Sequence, residues 1–137
     1  MTKREKEQKI DYNKKEIDRK VHKMTIEELY KIAEGDFNTV LGSFGSPALV
    51  EKFVKKFLLD DSYEQLAEKL KEKDVQESFR AAHTLKGICM NLGFDGLLVP
   101  VKEITEILRA GSMEKTDELM VTITDKYNTL CEAIKKL

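Results

Sequence analysis

Apolar residues recur along this chain at intervals of three and four, and no stretch alternates with a period of two. That spacing predicts amphipathic helices throughout. Ile26, Leu29, Tyr30 and Ile32-Ala33 form the apolar side of a short helix that opens at Thr25, with Glu28 as capping-box partner, and stops at Gly35. Asp36 caps a second short helix running through Leu41. Gly42-Ser43-Phe44-Gly45-Ser46-Pro47 is the clearest break in the chain, and Ser46 with Pro47 behind it is a favourable helix start. In that third helix Leu49-Val50, Phe53-Val54 and Phe57-Leu58 repeat as a core stripe. Asp60-Asp61 turns the chain into a helix from about Ser62 to Glu72, carrying Tyr63, Leu66-Ala67 and Leu70. Asp74, with Glu77 three residues on, opens a long helix that Gly93 closes. The next runs from near Asp95 to Ala110, with Pro100 inside it as a possible kink, and the last spans roughly Lys115 to Lys136.

Short turns between helices of this length predict an all-α fold, an antiparallel up-down four-helix bundle with additional short N-terminal helices. The helices starting near 47, 74, 95 and 115 are the obvious four, with the 62–72 helix either extending the first or taking its place. Residues 24–137 form that one domain. Residues 1–23 read as a charged leader, helical or disordered, in which Ile10, Ile17 and Val21 make a stripe too thin for a core face.

Composition narrows the function. The net charge of −1 hides an asymmetry: residues 1–23 carry a net +4 and the remainder a net −5. The bundle therefore has no general attraction for nucleic acid. No apolar run approaches the roughly 18 residues of a membrane span, and no signal peptide precedes the charged start, so a cytoplasmic protein without a membrane partner is expected. A monomer is expected as well. Cys89 and Cys131 both fall on apolar faces, which predicts free core thiols. No metal ligand set can be assembled from His22, His83, Cys89 and Cys131, and His22 has no evident role.

The helix after Asp74 holds the candidate chemistry. At about 100° per residue, Ala81, Ala82, Leu85, Ile88, Cys89 and Leu92 share one broad apolar face. His83 points the other way, among Gln76, Phe79, Arg80, Lys86, Gly87, Met90 and Asn91. Lys86 lies one turn along, in reach of an anion held on the imidazole. Gly87 also follows by a turn, and a mid-helix glycine costs on the order of 1 kcal/mol relative to alanine, which suggests clearance for the ring. Phe79 and Met90 flank His83 as a docking rim, and Gln76, Arg80 and Asn91 stand at its sides as partner contacts.

His83-Thr84-Leu85-Lys86-Gly87, followed by Asn91-Leu92-Gly93, resembles the signature of histidine-containing phosphotransfer (HPt) domains of two-component phosphorelays. The resemblance runs from about Met24 to Leu137 and includes Phe53 to Phe57 and the helix ending Ile107-Leu108-Arg109. Ile88-Cys89 depart from the small residues usual there, and the leader is outside the pattern. The resemblance implies that His83 accepts a phosphoryl group from a receiver aspartate and passes it on, with Lys86 offsetting its charge. It implies response-regulator receiver domains and a hybrid histidine kinase as partners, and Mg²⁺ on the receiver alone; this chain is expected to need no cofactor. No nucleotide loop or kinase ATP motif is present, so a phosphotransfer intermediate is expected, not an enzyme with its own ATP site. Two alternatives compete: a helical adaptor that binds receivers without being phosphorylated, and a fragment of a hybrid or chemotaxis-type kinase. The initial Met and the completed last helix favour a separate protein over the fragment.

Overall fold

The computed structural model describes residues 23–137, and the leader expected over residues 1–23 lies outside them apart from Lys23. The described residues are helical: α1 (Ile26–Ile32), α2 (Phe37–Phe44), α3 (Pro47–Lys56), a 3₁₀ turn (Phe57–Leu59), α4 (Ser62–Lys71), α5 (Val75–Leu92), α6 (Asp95–Arg109) and α7 (Thr116–Ile134). Several starts are set by the side chains expected to cap them. Thr25 Oγ1 accepts from the Glu28 N–H at 3.1 Å, Ser46 Oγ from Leu49 at 3.2 Å, and Asp74 Oδ1 from Glu77 at 3.1 Å. At α4 the work falls to Asp60, whose carboxylate accepts both the backbone N–H and the hydroxyl of Ser62, while Asp61 caps nothing.

The bundle consists of α4, α5, α6 and α7. The main packing surfaces join α5 to α4 and to α6, and α6 to α7, through the tight turns that make neighbours antiparallel. Of the two places left open for the 62–72 helix, it takes the second: α4 replaces the helix near 47 in the bundle, and Pro100 sits buried within an α6 that continues to Arg109. The helical run from Pro47 continues through the 3₁₀ turn and ends at Asp60, which is extended, so α4 starts as a separate helix, while α3 packs with α2 as a hairpin beside α5. The expected core stripe on α3 therefore splits. Val50, Val54 and Phe57 are buried, whereas Leu49 is 41% and Phe53 38% exposed.

One end of the bundle is locked by aromatics. Phe57 meets Phe94 edge-on at 5.1 Å and Tyr127 at 5.6 Å, while Tyr30 packs on Phe94 at 6.1 Å. The Tyr30 hydroxyl donates to the carbonyl of Leu92 at 2.6 Å, in a buried site. That carbonyl is among the last four of α5, which have no partner within the helix. Gly93 ends α5 at φ +69°, and its N–H and that of Phe94 bond back to Met90 and Cys89. A Cβ on Gly93 would also collide with Val40, and one on Gly35 with the Gly93 carbonyl, so α1 and α2 close directly onto this corner. The main chain of Met24 donates to the Lys136 carbonyl at 2.8 Å, bringing the start of α1 to the end of α7.

Candidate functional site

The 18-residue helix α5 carries the site, and its buried face follows the 100°-per-residue pattern of its sequence. Ala81, Ala82, Leu85, Cys89 and Leu92 are buried, joined by Ser78, which the apolar pattern did not single out. Ile88, placed on the core face by the same pattern, is only half-buried. Gln76, Arg80, His83, Met90 and Asn91 are exposed, and Phe79, Lys86 and Gly87 are partly so. Every residue expected around His83 therefore shares its accessible side of the helix.

Local contacts restrict the imidazole. The Phe79 ring lies 5.7 Å from it, centroid to centroid, tilted by 50°. Arg80 is tied to Glu77 at 3.5 Å, while Lys86 forms no ion pair among the described residues. A Cβ built on Gly87 would meet nothing within 4 Å. Close helix packing therefore does not explain the glycine. Nor would a single methyl come within 4 Å of the His83 ring, so the space beside the glycine is open.

One residue joins the site from another helix. The guanidinium of Arg109, at the end of α6, stands 4.9 Å from the Phe79 ring centroid, and is held on its other side by Glu106 at 3.3 Å. Phe79 thus touches His83 and Arg109 together. In the sequence Arg109 appears only as the end of a helix, 26 residues after His83; its convergence on the site depends on the α5–α6 turn.

The buried groups elsewhere on α5 are chemically quiet. Burial, helped by the Asp60 charge, pushes the Cys89 thiol up to about 12, and burial raises Cys131 as well. Both remain protonated thiols within the core, remote in direction from the His83 face. Among the described residues no group of three or more His, Cys, Asp or Glu is placed to hold a metal ion, and no helix is long and apolar enough to cross a membrane.

The arrangement turns the His83 ring to solvent, with Lys86, which pairs with no acid among the described residues, one turn away and open space beside Gly87. No curated protein and no solved structure matches the chain. The family model of the Hpt domain does match, over residues 56–135, which takes in α4 to α7, His83 and Arg109. The chain belongs to the Hpt domain family, the phosphotransfer domains of two-component signalling systems.

Proposed function

We propose that the protein is a histidine phosphocarrier that takes a phosphoryl group on His83 from the aspartyl phosphate of a receiver domain and returns it to another. A neutral imidazole has a free lone pair, and exposure keeps it within reach of a partner's active site. The ring nitrogen attacks phosphorus; the N–P bond forms as the acyl phosphate O–P bond breaks, and the aspartate leaves as a carboxylate. The reverse exchange regenerates the imidazole. Charge in this transfer spreads over the phosphoryl oxygens, so catalysis is chiefly positioning and electrostatics. Lys86 offsets that charge, and Gly87 leaves the ring open to the incoming group. Phe79, Arg80, Met90, Asn91 and Gln76 supply the rim on which the receiver sits, and the receiver brings the aspartate and the Mg²⁺.

The observation that carries this reading is the outward His83 beside an uncommitted Lys86 on the central helix of an Hpt domain. Intact-mass analysis after mixing the protein with a phosphorylated receiver and Mg²⁺ tests it. One added phosphoryl group, labile in acid, stable in base and lost in His83→Gln with folding unchanged, is the expected result. Binding to receivers without any gain in mass would replace the carrier with an adaptor.

A further inference from the structure

The outer face of α7 carries a narrow stripe that the bundle leaves uncovered. At about 100° per residue, Asp117, Glu118, Val121, Asp125, Asn128 and Glu132 fall within roughly 100° of one another, and all six are exposed. Val121, 71% exposed, stands among the acids beside a shallow depression of about 490 Å³. Of the nearby cations, Lys126 pairs with Glu34 at 3.0 Å and Lys135 with Glu132 at 3.2 Å, while Lys115 and Lys136 lie at the two ends of the helix. Asp117, Glu118 and Asp125 pair with no base among the described residues.

Residues 1–22 carry the complementary pattern, with eight Lys/Arg against five Asp/Glu. Wound as a helix, they bring Lys3, Lys6, Ile10, Lys14, Ile17 and Val21 within roughly 80° of one another, with Glu7 and Asp18 at the edge of that face. Such an apolar line is too thin for a core face and suits a narrow seam between two helices. Position agrees with pattern. The Met24 N–H bonds the Lys136 carbonyl at 2.8 Å and Thr25 is extended, so the leader joins the bundle at the end of α7 and is set apart from α1. Traced back from that tie beside α7, at about 1.5 Å per residue, Ile10 falls level with Val121, roughly 21 Å and 22 Å away. In the same register Lys6 is level with Glu118 and Lys14 with Asp125.

We propose that residues 3–22 form a helix that straps along this face of α7, with Ile10 seated on Val121, Lys6 paired with Glu118 and Lys14 with Asp125. The charges select the leader over a second copy of the bundle, since two α7 stripes brought together would set acid against acid. The short apolar seam fixes the register, and the ion pairs hold it at low salt.

Hydrogen exchange of the full chain, read by mass spectrometry at the amides of residues 9–20, tests the strap. In the parent these amides should exchange about tenfold or more slowly than in Val121→Glu, where a buried charge would spoil the seam. Asp125→Lys should speed exchange by a similar factor, and adding Lys14→Glu to it should restore the protection, as a direct pair requires. Val121 and Asp125 are both exposed, so these variants keep the bundle intact and report on the seam alone. Raised salt should weaken protection in the parent. Exchange in the parent as fast as in an unstructured peptide would overturn the inference. Protection that survives both Val121→Glu and Asp125→Lys would place the leader elsewhere and overturn it too. Protection that appears only with rising protein concentration would seat the leader on a second copy, which also refutes the strap within one chain.

Discussion

Arg109 stacks its guanidinium on the ring of Phe79, and the same ring leans on His83. A residue from α6 is thereby coupled to the imidazole of α5 without touching it in sequence. An exposed cation–π contact is worth about 0.5–1 kcal/mol, so Arg109→Ala should cost little stability. Its effect belongs to the site: loss of a fixed positive charge beside the ring should slow phosphoryl transfer roughly three- to tenfold, on the order of 1 kcal/mol of barrier. Arg109→Lys keeps the charge but not the flat stacking surface, and should fall between the two. Single-turnover transfer rates at saturating receiver decide; a rate for Arg109→Ala equal to the parent's removes Arg109 from the site.

Gly87 separates two effects that usually travel together. A Cβ there meets open space, so Gly87→Ala should stabilise α5 by about 1 kcal/mol through helix propensity and still permit transfer. Gly87→Leu should also fold, yet block transfer by covering the imidazole. Thermal melts beside phosphorylation assays make the comparison, and full transfer in Gly87→Leu would end the clearance explanation.

Removing the Tyr30 hydroxyl should weaken the end of the bundle. Tyr30→Phe leaves the buried Leu92 carbonyl without its 2.6 Å donor, at a cost of about 1–3 kcal/mol, and lowers Tm by several degrees. An unchanged Tm would mean that water or a shifted backbone replaces the bond.

Alkali should unfold the protein through its core. Burial raises the Cys89 and Cys131 thiols and the Tyr30 and Tyr127 phenols above their ordinary values, Cys89 to about 12. The unfolded chain releases these protons first, so the folded state holds more of them. Stability is then complete below about pH 9 and declines as pH rises towards 12, by about 1.4 kcal/mol per pH unit for each group inside its window. Urea denaturation between about pH 8 and pH 11 measures the slope, and Cys89→Ala should make it shallower. A flat profile would show that these groups ionise in the folded state.

The helices and the face of α5 were legible in sequence because both depend on local rules. Ser46, Asp74 and Gly93 act at positions that capping chemistry fixes, and the 3.6-residue period alone turns His83 away from Leu85 and Cys89. What could not be read locally was partnership between helices. Whether α3 or α4 entered the bundle turned on the extended Asp60, which ends the helical run after Leu59 and accepts from Ser62. Both helices carry adequate apolar stripes, so periodicity could not choose between them. Arg109 escaped notice as a site residue for a similar reason, since only the turn at Gly93-Phe94 returns α6 to Phe79.

The hydrogen bond from Met24 to Lys136 closes the described fold into a near-ring. The polypeptide enters and leaves at almost one point, so the unit can be spliced into another chain as a single outward loop, without stretching any helix. A permuted version, with Leu137 joined to Met24 through a short linker and new ends opened between α6 and α7, should preserve the His83 face. Topologically, the site belongs to a closed circuit of helices, and the order in which the ribosome delivers them is incidental to its geometry.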